Sequence, residues 1–129
     1  MNRPLVLLDS IAVIDATAQD AVVVSGSHGG ASAAKFVLQL GERRPRAVFY
    51  NDAGVGKDRA GIVALNMLEA VDLACATYSH ESACIGNAED GYLSGVVSHV
   101  NAPAAASGVQ PGDRVRDAVQ RLSAGAARA

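Results

Sequence analysis

The chain contains no tryptophan, and aromatic residues make up only 4% of its 129 positions. Half of its residues are apolar all the same, and alanine and valine supply much of that half. We therefore expect a core of small side chains that brings helices and strands close together. A chain of this length is typical of one domain and can bury an ordinary core without disulfides or a structural metal. We predict a single domain over residues 1–129, with a frayed tail over about residues 124–129.

Cysteine and long apolar runs are equally scarce. Cys75 and Cys84 are too few for a disulfide framework, so a reducing compartment is expected. The apolar run near the N terminus is interrupted at Asp9 and is too short for a signal peptide. Nowhere does the chain approach the roughly 18 uninterrupted apolar residues that mark a membrane span. We accordingly expect a soluble, cytoplasmic protein with no membrane partner.

An excess of charge of one sign is also missing, since the formal net charge is −2 and both signs are scattered along the chain. The one tight basic group, Arg43, Arg44 and Arg46, is too small for a nucleic-acid footprint. We interpret it as a solvated turn before a strand. No nucleic-acid partner is therefore expected.

What the chain does contain is a regular alternation of apolar runs with helix-like stretches. The runs predict strands at residues 5–14, 21–24, 46–50, 73–78 and 92–97, and the stretches between them predict helices at 31–40, at 57–71, from 102 and from 115. Strands that alternate with helices predict a mainly parallel sheet, because each crossover needs a helix to return the chain. The expected fold class is α/β, a three-layer sandwich with a mainly parallel sheet of about five strands.

Polar pairs end four of the predicted strands. All three histidines follow a serine there, in Ser27-His28, Ser79-His80 and Ser98-His99, and the remaining strand ends in Asn51-Asp52. Ligands of parallel sheets bind beyond the carboxyl ends of the strands, where such side chains converge. We therefore expect the three histidines and Asp52 to ring one pocket that takes a small polar or anionic ligand.

These residue types suit acid–base chemistry. A histidine beside a carboxylate can take or give a proton near neutral pH, and a neighbouring serine can position or attack a substrate. The predicted catalytic residues are His28 as general base or acid, Asp52 as its orienting or second proton-transfer group, and His80. The predicted substrate-binding residues are Ser25, Ser27, Gly29, Gly30, Asn51, Lys57, Arg59, Ser79, Ser82, Cys84 and His99. The alternative is that serines and histidines at strand ends only cap the turns and helices that follow.

Two glycine-rich turns follow strands. Residues 25–30 form a turn that lets backbone amides approach an anion. Residues 54–57 look like part of a phosphate loop. However, Asn51 and Asp58 stand where the full motif has glycine and serine or threonine, so a nucleoside triphosphate is not expected. The basic side chains of this second turn either neutralise a carboxylate or phosphate or belong to a plain solvated turn.

Metal binding and covalent catalysis stay open. Three imidazoles and a carboxylate can complete a site for Zn²⁺, although these histidines lack the close spacing that metal ligands usually show. No cofactor is predicted, and a divalent metal is kept only as an open alternative. Cys84 is either a nucleophile whose thiolate is stabilised by His28 or His80, or an inert small residue.

Residues 25–61 carry the segments Gly-Ser-His-Gly-Gly and Asn-Asp-Ala-Gly-Val-Gly-Lys-Asp-Arg-Ala-Gly-Ile. In these segments the chain resembles an uncharacterised family of small bacterial α/β proteins, a likeness that brings no function with it. A remote resemblance to caspase-like peptidases rests on the apolar run at 22–24 that leads to His28-Gly29. That family ends its next strand in Ala-Cys where this chain places Asp52, so what the resemblance implies is the fold.

The expected function is an enzyme, a hydrolase or lyase, that acts on a small polar or anionic metabolite at the carboxyl-terminal edge of the sheet. The alternative is a non-catalytic ligand-binding or regulatory domain that uses the same pocket. We also expect a homo-oligomer. An exposed edge strand or apolar helix that pairs with its own copy would indicate an assembly subunit.

Overall fold

A mainly parallel sheet of five strands runs through the computed structural model, which describes residues 3–124. The strands are β1 (Leu5–Leu8), β2 (Val22–His28), β3 (Ala47–Asn51), β4 (Ala74–Tyr78) and β5 (Val97–Val100). They lie side by side in chain order; β1 to β4 are parallel, and β5 is antiparallel to β4. The tail expected over residues 124–129 lies outside the described residues except for Ala124, which ends the last helix.

Helices cover both faces of this sheet. They are α1 (Ala31–Leu38), α2 (Ala64–Glu69), α3 (Ala88–Ser94), α4 (Ala102–Ala106) and α5 (Val115–Ala124). Helices α1 and α2 pack on one face, and α3 and α5 pack on the other. The expected α/β class, with a mainly parallel five-stranded sheet between helical layers, is confirmed. None of the helices within residues 3–124 is long and apolar enough to cross a membrane.

The side chains of the strands alternate between two apolar clusters, one on each face of the sheet. Val23, Val48 and Cys75 belong to the cluster under α1 and α2, whereas Val24, Phe49 and Tyr78 belong to the cluster under α3 and α5. Because both faces are covered, the strands read as continuous apolar runs. Small residues permit the close packing: a Cβ at Gly91 of α3 would lie 2.7 Å from Cζ of Tyr78.

The first predicted strand is wrong in extent. It ends at Leu8 rather than at residue 14, and Ile11–Val13 form a 3₁₀ turn. The hydroxyl of Ser10 accepts the backbone N–H of Ala12 at 3.2 Å, which turns the chain out of the sheet.

The helix predicted at 57–71 is wrong in the same way, because α2 begins only at Ala64. Asp58 and Arg59 have φ angles of 55° and 61°. This left-handed backbone conformation cannot continue an α-helix of L-residues. Residues 57–59 therefore form a separate 3₁₀ turn.

The last predicted strand is wrong in position and direction. Its predicted first residues belong to the end of α3. The end of β4 and the start of β5 lie at the same end of the sheet, where the N–H of Ser79 donates to the C=O of Val96 at 2.8 Å. Because α3 and its flanking loops bring the chain back to the end of the sheet at which β4 finished, β5 runs in the opposite direction. Ser98 and His99 therefore lie inside β5, level with Thr77, and not at a strand end.

Buried Asn101 connects several of these elements at the N terminus of α4. Its Oδ1 accepts the backbone N–H of Cys75 at 3.0 Å and that of Ala104 at 3.1 Å. Its Nδ2 donates to the C=O of Leu73 at 2.9 Å and to that of Leu65 at 3.2 Å. One side chain thus satisfies four backbone groups in α2, α4 and the start of β4.

We predict that Asn101→Ala lowers the free energy of unfolding by about 3 kcal/mol, because it leaves buried donors and acceptors without partners. Urea denaturation measures the loss. The matched control is Asn66→Ala, at an exposed position of α2, for which the change should stay within about 0.5 kcal/mol. Equal losses in the two variants would contradict this role of Asn101.

Candidate functional site

Asp52 and His80, which follow β3 and β4, are in contact at the carboxyl-terminal edge of the parallel strands. Nδ1 of His80 lies 3.3 Å from Oδ1 of Asp52. The Asp52 side chain is 7% exposed, whereas the His80 side chain is 50% exposed. The pair therefore combines a buried carboxylate with an imidazole that reaches the surface.

The carboxylate of Asp52 is held in place by the backbone around it. Its Oδ1 accepts the N–H of Gly54 at 2.8 Å and the N–H of His80 at 3.1 Å. Burial by itself raises the pKa of Asp52, but hydrogen bonds from Gly54, the Ser98 hydroxyl and His80 outweigh burial and lower the pKa. Asp52 is therefore ionised at neutral pH and presents a negative charge to His80.

Three polar side chains of β4 and β5 continue this group. Oγ of Ser98 lies 2.9 Å from Oγ1 of Thr77 and 3.1 Å from Nδ1 of His99. The β4–β5 register shifts at this point, and such a bulge re-aims neighbouring side chains so that both Ser98 and His99 reach Thr77. We call Asp52, Thr77, His80, Ser98 and His99 the Asp52 cluster.

His28 occupies a different place on the same edge. It lines a cavity of about 360 Å³ at the ends of β1 and β2, together with Ile11, Ser27, Ser32, Phe36 and Ile85. Within residues 3–124, no hydrogen bond joins His28 to Asp52, His80 or His99. The pocket expected to unite all three histidines with Asp52 is therefore not assembled through hydrogen bonds.

The segment after Asp52 lies between the two places. Gly54 faces the imidazole ring of His80, with an ideal Cβ 3.5 Å from Cε1 of that ring. Further along, the C=O of Gly61 accepts the N–H of Gly29, the residue after His28, at 2.9 Å. Residues 54–61 thus connect the ring of His80 with Gly29, the residue after His28.

The serines and Asn51 of the predicted binding set make local backbone hydrogen bonds. Their oxygens accept N–H groups within turns and between loops: Ser25 from Ser27, Ser27 from Ile11, Asn51 from Ala53, Ser79 from Glu81, and Ser82 from Val96. These are the capping roles of the alternative interpretation.

The other predicted binding residues are spread over the edge. Lys57 and Arg59 are exposed on the segment after Asp52. Gly29 and Gly30 are buried where α1 begins, and a Cβ at Gly30 would lie 2.5 Å from the ring of His28. Cys84 is exposed, and its backbone N–H donates to the carboxylate of Asp90 at 2.7 Å. Among the described residues, no histidine forms a hydrogen bond with Cys84.

Sequence reasoning overlooked Thr77 and gave Ser98 no role of its own. Thr77 is a polar, non-aromatic side chain within the apolar run of the buried strand β4, and that is the signal by which the sequence marks it. The contact with Ser98 depends on the antiparallel direction of β5, which no local pattern indicates. As for metals, the part of the chain that the structure describes holds no group of three or more His, Cys, Asp or Glu placed to bind an ion.

No protein-family model, curated protein or solved structure matches this chain. The likenesses noted in the sequence therefore stay predictions. The fold and the site define a small α/β protein with a histidine–aspartate pair at the carboxyl-terminal edge of its parallel strands.

The lowered pKa of Asp52 predicts a pH-dependent contribution to stability. A carboxylate whose folded pKa is depressed stabilises the fold above its unfolded pKa of about 3.9, and this contribution is lost as the pH falls through the folded value. The wild type should therefore exceed Asp52→Asn in free energy of unfolding at neutral pH, and the difference should shrink in acid. Urea denaturation over a pH series measures it, with Asp117→Asn on the exposed side of α5 as control. A difference that grows in acid would contradict the assignment.

Proposed function

We propose that the chain is an enzyme, a hydrolase or lyase, that acts on a small polar or anionic metabolite with His80 as its general acid–base. The observation that carries the proposal is the 3.3 Å contact between Nδ1 of His80 and the buried carboxylate of Asp52. A histidine oriented by a buried carboxylate is a recurring arrangement for proton transfer in enzymes.

The chemistry follows from the two nitrogens of the ring. With its proton on Nδ1, His80 donates to Asp52 and leaves Nε2 free to accept a proton from water or substrate. The imidazolium that forms is stabilised by the ionised carboxylate beside it. Because hydrogen bonds from Gly54 and the His80 backbone already fix that carboxylate, little reorganisation is needed when the charge appears.

Neighbouring side chains support a polar, anionic substrate. Ser98 and His99 are half-buried beside Asp52 and offer hydrogen-bonding groups. Lys57 and Arg59 are exposed on the segment that begins at Asp52, and their positive charges suit a carboxylate or phosphate. His28, the residue first expected to be the base, takes no part in this scheme because no hydrogen bond within residues 3–124 joins it to Asp52 or His80, and it lines a cavity whose walls include neither residue.

We predict that His80→Gln lowers kcat by about 100-fold or more, because glutamine keeps polarity but cannot take up a proton. The assay screens p-nitrophenyl esters and p-nitrophenyl phosphates for turnover by the wild type and then compares the variants. Asp52→Asn should lower kcat as well, and Gln39→Ala, exposed after α1, serves as the control. Full activity of His80→Gln would overturn the role given to His80.

A second candidate is a non-catalytic ligand-binding or regulatory domain, and the cavity beside His28 favours it. Its volume of about 360 Å³ and its walls of Ile11, Phe36 and Ile85 suit a small ligand with an apolar part. The polar residues that line it include Asp9, Ser27, His28 and Ser32.

Under this second candidate, a compound that raises the Tm of the wild type should lose that effect in Phe36→Ser, and no turnover should accompany binding. A thermal-shift screen of small metabolites with an apolar group measures it. Equal shifts in both proteins would place the ligand elsewhere and contradict the candidate.

A further inference from the structure

The outer side of β1 is left open, whereas the other edge of the sheet is partly covered. At the β5 edge, the N–H of Val97 donates to the C=O of Asp113, and the N–H of Gly112 donates to the C=O of Val97, both at 2.8 Å. Among the residues that the structure describes, no strand lies beyond β1. An unpaired strand edge is a template for another strand.

The register of β1 decides which backbone groups face outward. Leu5 lies level with Val22 of β2, and the N–H of Val22 donates to the C=O of Pro4 at 2.9 Å. Backbone groups of successive strand residues point to opposite sides, so the N–H and C=O of Leu5 and of Leu7 point away from β2. Pro4 does not block this edge, because its backbone groups are on the β2 side.

The side chains of these two leucines are exposed as well. Leu5 is 37% exposed and Leu7 is 40% exposed, and both lie on the sheet face that carries α3 and α5. Natural edge strands are usually protected by a charge, a proline or a bulge within the strand. Residues 5–8 contain no charge and no proline.

We propose that β1 pairs antiparallel with β1 of a second copy of this chain, which joins two sheets into one across a two-fold axis. In the matching register Val6 lies opposite Val6 of the second copy, and Leu5 lies opposite Leu7 of the second copy. The outward backbone groups of both leucines then exchange hydrogen bonds, and their side chains cover one another. A slip by one residue would set outward groups against groups that face β2.

Arg3 and Asp9 flank β1, and the side chains of both are engaged within the chain. The guanidinium of Arg3, whose side chain is 14% exposed, donates to Asp20 at 3.0 Å and to the C=O of Leu122 at 3.1 Å. Asp9 accepts the N–H of Ala88 at 2.9 Å. The two-fold pairing therefore rests on the outward backbone groups and the exposed leucines, which a second copy complements.

The test measures molecular mass by sedimentation equilibrium over a range of micromolar concentrations. The wild type should reach twice its 13.1 kDa chain mass as concentration rises. Leu5→Glu alone and Leu7→Lys alone should each weaken dimerisation by about tenfold or more, because each sets a charge against a leucine. The double variant should regain the dimer, since each glutamate then faces a lysine of the second copy.

The control is Val71→Glu, which places a charge at a position with a similar exposure of 38% next to α2. It should leave dimerisation unchanged. A wild type that stays monomeric, a dimer that survives both single changes, or a double variant that stays monomeric would each overturn the proposal.

A second measurement needs no variant and so does not depend on whether the changed chains fold. Amide hydrogen exchange of Leu5 and Leu7 should slow as the wild-type concentration rises, while exchange of Val6, which already faces β2, should not change. Exchange of Leu5 and Leu7 that does not depend on concentration would overturn the proposal.

Discussion

Burial of both faces of a parallel sheet under small side chains is the constraint on which the rest of this structure depends. The strands can be apolar throughout only because α1 and α2 cover one face and α3 and α5 cover the other. Alanine and glycine let these helices lie close to the sheet, as at Gly91 against Tyr78. The backbone polar groups that such packing buries need hydrogen-bond partners inside the protein, and the Asn101 side chain is the partner of four such groups.

The carboxyl-terminal edge shows how the same constraint shapes the site. Turns that leave a covered sheet must satisfy their own backbone, and most serines of the edge are used for that purpose. Asp52 also accepts backbone N–H groups, yet it keeps a contact with the half-exposed ring of His80. The carboxylate that stabilises these turns is therefore also the one that orients the histidine of the proposed acid–base pair.

The two lateral edges of the sheet differ for a related reason. The antiparallel β5 is followed by a segment that folds back onto it, so part of its outer edge is bonded within the chain. β1 is the first strand and has no such segment among the described residues. Its exposed leucines and outward backbone groups depart from the rule that strand edges are protected, and the pairing proposed above would remove that departure.

Much of the architecture could be predicted from local patterns alone. Apolar runs such as residues 73–78 and the turn before α5 specify strands and helices through the chemistry of their own residues, so the α/β class with a mainly parallel sheet followed from the sequence. The direction of β5 could not be predicted from the sequence, because it depends on the route of α3 across the face of the sheet opposite α1 and α2. For that reason only the tertiary structure decided that Ser98 and His99 would meet Thr77. The approach of His80 to Asp52 was expected from the sequence, because both follow neighbouring parallel strands, whereas only the structure decided that His28 would line the cavity at the ends of β1 and β2 and make no hydrogen bond with that pair.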